Sequence, residues 1–100
     1  MAINKLKIVI SILKEISESN TPTENDYDLT SEEFFDIIDA MQDDGLIKGV
    51  RFARGRGNRV LTAFIDDAKI TIKGMEYLDE NSALVKTYKG LKELRDWLPF

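Results

Sequence analysis

The chain has no cysteine and no histidine. The first absence excludes disulfides, thiolate nucleophiles and Cys-based metal sites. The second removes the commonest general base and the commonest zinc ligand. No window approaches the run of about 20 apolar residues that a membrane span requires. Met1 to Ile16 is apolar enough to suggest a signal peptide, but Lys14 and Glu15 interrupt it and no small-residue cleavage site follows. Nothing ties the chain to an oxidising compartment, so a cytoplasmic protein without cofactors is expected. At 100 residues the expectation is one domain, residues 1–100, with a single small core. The net charge of −4 makes the molecule as a whole mildly repelled by nucleic acid and by anionic membrane.

One further absence is local. From Glu24 to Asp44 there is no Lys or Arg, while nine carboxylates occur: Glu24, Asp26, Asp28, Glu32, Glu33, Asp36, Asp39, Asp43 and Asp44. From Lys48 to Arg59 the reverse holds. Lys48, Arg51, Arg54, Arg56 and Arg59 occur with no Asp or Glu among them.

Hydrophobic periodicity places these blocks on elements. Leu6, Val9, Leu13 and Ile16 predict a helix from about Ile3 to Glu18, with Asn4, Lys7, Ser11, Lys14 and Glu18 on its polar side. Ile10 and Ile12 widen the apolar stripe enough for two sides to be covered. Pro22 to Leu29 reads as a loop, a short helical turn or a short strand. Thr30 and Glu33 form a capping-box pair for a second helix, and Leu29 and Phe34 stand at the positions of a hydrophobic staple. Phe34, Ile37, Ile38 and Met41 are its expected buried stripe, and Gly45 its expected left-handed stop.

Leu46 to Ala53 and Val60 to Ile65 are rich in branched and aromatic residues and predict a hairpin, with Arg54 to Arg59 as a flexible tip. A short helix over Ile72 to Glu80 is capped by Thr71. A last helix is expected from Ser82 to Leu98, with Leu84, Tyr88, Leu91, Leu94 and Leu98 as its stripe and Gly90 inside it at a cost of about 1 kcal/mol relative to Ala.

The expected class is α+β: helices packed with a small antiparallel hairpin, followed by C-terminal helices. A helix ending in Asp43-Asp44-Gly45-Leu46-Ile47 and entering a hairpin is the join of a winged-helix domain, the hairpin being its wing. The first helix of that motif would have to fit between Pro22 and Leu29, so it must be short or degenerate. In Leu13 to Ile16, the acidic segment with Leu29-Thr30, Gly45 to Ile47, Ile70 to Leu78 and Tyr88 to Trp97, the chain resembles the YjcQ family of small bacterial and phage-associated proteins. These segments are caps, turns and core positions. The resemblance implies a winged-helix-like fold and a bacterial or prophage setting. It implies no activity and carries over no site residue.

Catalytic and metal-binding patterns are poorly matched. Acids spread along a helix face are not a pair held in a cleft. Glu24, Asp26 and Asp28 alternate as in a calcium loop, but Leu29 and Phe35 stand where that loop needs Gly and Glu. Gly55-Arg56-Gly57 lacks the Gly-Lys-Ser/Thr of a phosphate loop. The expectation is a non-catalytic interaction module. Lys48, Arg51, Arg54, Arg56 and Arg59 are its candidate contacts to nucleic acid or an acidic partner. Glu33, Asp36, Asp39 and Asp43 are its candidate contacts to a basic protein partner. The alternative is a DNA-binding regulator contacting DNA mainly through the wing, because the acidic second helix would be repelled from the major groove. The Arg-rich tip also reads as a solvated turn, free to pair with the acidic helix of its own molecule or of a neighbour. The C-terminal helix is expected to close the core against the first helix. A homodimer seam there, with Trp97 and Phe100 as exposed anchors, is the alternative to a monomer.

Overall fold

The structure is a computed structural model and describes residues 2–98. Helix α1 spans Ala2–Ser17, and Ser19, two residues beyond it, takes a left-handed conformation. Its apolar stripe is covered on more than one side. Ile8, Ile10, Ile12, Leu13 and Ile16 are buried, with Leu6 and Val9 packed against them. Ser11, expected on the polar side, is fully buried instead, as is nearly all of Glu15. Both residues face other parts of the chain that supply hydrogen-bond partners.

Pro22 to Leu29 forms a 3-10 turn over Glu24–Tyr27, closed by a capping box between Thr23 and Asp26. Tyr27 drops from this turn into the core. Between α1 and α2 the helical structure is thus this one turn.

Helix α2 covers Ser31–Asp43. The Thr30 hydroxyl accepts from the Glu33 amide at 3.1 Å, and the Glu33 carboxylate accepts from the Thr30 amide at 3.0 Å. Phe34, Ile37, Ile38 and Met41 are buried, as the 3.6-residue period requires. At the other end Leu46 N–H donates to Met41 and Gly45 N–H to Gln42, with Gly45 at φ +80°. This is the Schellman closure, in which glycine takes the left-handed position at least cost.

The hairpin is longer and more broken than its sequence suggests. Strand β1 (Ile47–Lys48) pairs antiparallel with β4 (Lys69–Ile70), and β2 (Arg51–Arg54) pairs antiparallel with β3 (Val60–Phe64), as two separate two-stranded sheets. The expected continuous strand from Leu46 breaks at Gly49, whose φ is +87°. A Cβ there would meet the Asp67 carbonyl at 2.6 Å. The Gln42 side chain bridges the break. It accepts from the Val50 amide at 2.9 Å and donates to the Val50 carbonyl at 3.1 Å, tying the hairpin to α2. A register shift lies between Ala53 and Arg54, and the tip is a 3-10 turn over Arg56–Asn58.

Helix α3 (Ile72–Glu80) begins at its expected cap. Thr71 accepts from the Gly74 amide at 2.9 Å and donates to the carbonyl oxygens of Gly45 and Leu46. The single C-terminal helix does not form. Helix α4 (Ser82–Thr87) stops short, Gly90 turns the chain at φ +104°, and a 3-10 turn over Leu91–Glu93 leads into α5, Leu94–Trp97. The break lets Tyr88 point toward α1 while Leu94, Trp97 and Leu98 enter the core. Trp97 is 8% exposed, so it closes the core and is not an exposed anchor. Phe100 lies outside the described residues. The architecture is α+β, with the buried residues of α1, α2, the hairpin and the C-terminal segment in one cluster.

Candidate interaction surface

The acidic stripe and the Arg-rich hairpin face each other. On α2, Glu32, Asp36, Asp39 and Asp43 recur at i, i+4, i+7 and i+11, which puts all four on one stripe opposite the core. That stripe is about 16 Å long at 1.5 Å per residue. The hairpin packs beside it, with Phe35, Phe52 and Ala63 against the core. Two ion pairs cross the gap. Arg54 Nη2 lies 3.2 Å from Asp39 Oδ1, and Arg59 Nη2 lies 3.4 Å from Glu32 Oε2. The sequence-level choice between a solvent-facing tip and one paired with its own helix thus resolves differently along the hairpin.

Strand alternation separates the remaining cations. Phe52 pairs with Ala63 on the inner face, and Arg54 extends over the Phe52 ring at 5.1 Å. Arg51 pairs with Phe64 on the outer face, its guanidinium 5.6 Å from the ring centroid. Phe64 is 48% exposed, so this stacked pair is a surface feature. Arg56 is exposed at the tip, and Lys48 is exposed opposite Lys69 on the β1–β4 sheet.

Among the acids, Asp36 and Asp43 are exposed. Asp39 is half-buried beside Arg54. Glu33 belongs to the helix cap more than to the stripe. Its two hydrogen bonds to Thr30, from the backbone amide first and the hydroxyl second, hold its carboxyl below the ordinary value. Glu32, a member of the acidic block outside the four expected contacts, takes the stripe position that Glu33 does not.

A buried polar network is the larger surprise. Ser11 Oγ donates to the Tyr88 hydroxyl at 2.8 Å, and Tyr88 donates to Glu15 Oε2 at 2.5 Å. With the Ser11 proton so used, the Tyr27 hydroxyl, 3.0 Å away, must donate to Ser11. Asn20 donates to the second Glu15 oxygen at 2.9 Å. Burial disfavours both phenolates and raises the pKa of Tyr27 and of Tyr88. Donation to Glu15 raises that of Tyr88 further, and the proton that Ser11 donates to the Tyr88 oxygen acts in the lowering direction. Among the described residues no buried side-chain polar atom lacks a partner. The only sequence signal for this network was a polar pair four residues apart, Ser11 and Glu15, within an apolar run.

A cavity of about 300 Å³ lies between the end of α1 and the β3–β4 turn, but its carboxylates, Asp66 and Asp67, are exposed on that turn. Among the described residues no group of three or more acidic side chains could hold a metal ion. No helix among them is long and apolar enough to cross a membrane.

The family described as "YjcQ protein" matches residues 6–97. The chain is 38% identical over 96 residues to a relative from Bacillus subtilis (strain 168) named "Uncharacterized protein YjcQ", covering 95% of this chain and 98% of the relative. No solved structure matches it. The chain belongs to the YjcQ family.

Proposed function

We propose that this YjcQ-family chain is a non-catalytic, cytoplasmic interaction module that docks a basic segment of a protein partner along the outer stripe of α2. The observation that carries this reading is the pair of internal contacts, Arg54 to Asp39 and Arg59 to Glu32. They show the stripe already holding guanidinium groups at two of its four positions. Asp36 and Asp43 offer the same chemistry on its exposed side. A partner with Arg or Lys at helical or extended spacing would continue the row, gaining selectivity and association rate from complementary charge.

The test is affinity capture from a Bacillus subtilis lysate with the wild type and with D36K/D43K, followed by NMR shift mapping of the captured protein on the labelled chain. The proposal expects capture to be lost in the variant and shifts to centre on residues 32–43. Equal capture by both proteins, or shifts centred elsewhere, would reject docking on α2.

A further inference from the structure

We propose that the hairpin is a second interaction surface, fitted to the phosphate backbone of duplex nucleic acid, and that Glu32 and Asp39 of α2 hold it partly closed. Four arginines stand within one hairpin, on both faces and at the tip. Arg54 and Arg59 are turned inward onto Asp39 and Glu32. Arg51 stacks on Phe64 on the outer face, and Arg56 is exposed beside Gly57, whose φ is +67°. Nothing lies within 4 Å of a Cβ built at Gly57, so a backbone or ligand can approach the tip closely.

The ion pairs are a weak closure. Both Arg59 and Glu32 are exposed, and such pairs contribute little in water. In this proposal they open by rotation of the arginine side chains, Arg54 also leaving the face of Phe52. The phosphate backbone is the occupant that gains most from that rotation. Each phosphate neutralised by an arginine releases condensed counterions. An acidic protein helix would exchange one carboxylate for another, with no such release. The α2 stripe therefore acts as an internal competitor for the hairpin, and its remaining charge repels a duplex that approaches. A basic partner bound to Glu32 and Asp39 would take both carboxylates from the arginines, so the two surfaces are coupled in the favourable sense. The hairpin surface does not itself require such a partner.

The experiment is fluorescence anisotropy with a mixed-sequence 20-base-pair duplex at two salt concentrations. Three variants are compared with the wild type: E32Q/D39N, which opens both pairs; D36N/D43N, which removes the same charge from the same stripe without touching them; and E32Q/D39N/R54A/R59A. Circular dichroism first establishes that all four proteins are folded. The expectation is that E32Q/D39N binds about three- to tenfold tighter than the wild type, a range set by one exposed and one half-buried ion pair. D36N/D43N should gain clearly less. The quadruple variant should lose the gain and show a shallower salt dependence. Equal gains in the two double variants would reduce the effect to net charge and overturn the closure. Absence of duplex binding by E32Q/D39N would overturn the surface itself. Displacement of the duplex by poly-glutamate as readily as by a second duplex would assign the hairpin to acidic proteins. None of these outcomes bears on whether Asp36 and Asp43 dock a basic segment.

Discussion

Ser11 shows how one small side chain can govern a core. Its hydroxyl is the acceptor for Tyr27 and the donor to Tyr88, and it lies on the buried side of α1. Ser11→Ala leaves the Tyr27 hydroxyl buried without an acceptor, a cost of about 1–3 kcal/mol. Urea unfolding should show the loss as a lower midpoint with an unchanged slope. Tyr27→Phe with Ser11→Ala should recover part of it, because the orphaned donor then goes too. The same hydroxyls set an alkaline limit. Both tyrosines have folded pKa values above the unfolded value, so each contributes stability that is complete below about pH 10 and is lost as pH rises through the folded value. Urea midpoints should therefore decline above about pH 10, and Tyr27→Phe should make that decline shallower. An equal slope in the variant would exclude Tyr27 as a source.

At the scale of elements, Gly90 separates two structures by sign. In an unbroken helix from Ser82 to Leu98, Gly90→Ala would stabilise by about 1 kcal/mol. In the observed chain Gly90 has φ +104° and ψ 177°, a region open essentially to glycine alone, so the same change should destabilise by about 1–3 kcal/mol. No atom lies within 4 Å of the added Cβ, so the penalty is conformational and not steric. A thermal or urea comparison of the two proteins reads the sign directly. What made this segment misleading is also what made others legible. Thr30, Thr71 and Gly45 act within four residues of themselves, through capping hydroxyls and a left-handed stop, and each element boundary they predict is found. Leu84, Tyr88, Leu91, Leu94 and Leu98 have helical spacing, but the break among them is fixed by Tyr88 reaching Ser11 and Glu15, 77 and 73 residues away. The two-residue strand β4 was hidden for a similar reason, since its only ladder is to β1 across the whole hairpin.

For the molecule as a whole, the two charge blocks were plain in the sequence, but their mutual orientation depends on how the hairpin packs on α2. The C-terminal segment decides a second global property. Leu94, Trp97 and Leu98 could have covered their own core or a second copy. They are buried within the chain, and Trp97 is held from three directions. Its indole N–H donates to Thr87 at 2.6 Å, its ring meets Tyr88 edge-on at 5.0 Å, and its carbonyl accepts from the Lys7 ammonium at 2.8 Å. That ammonium also lies 5.2 Å from the indole centroid. Trp97→Ala should cost about 3–5 kcal/mol, a large part of the roughly 5–15 kcal/mol available to a small domain. The variant should be largely unfolded near physiological temperature. If the segment serves only its own core, the wild-type melting temperature will not change across a hundredfold range of protein concentration, because no association is linked to folding. A melting temperature that rises with concentration, with dimer mass in light scattering, would instead make this end of the molecule a seam between two copies.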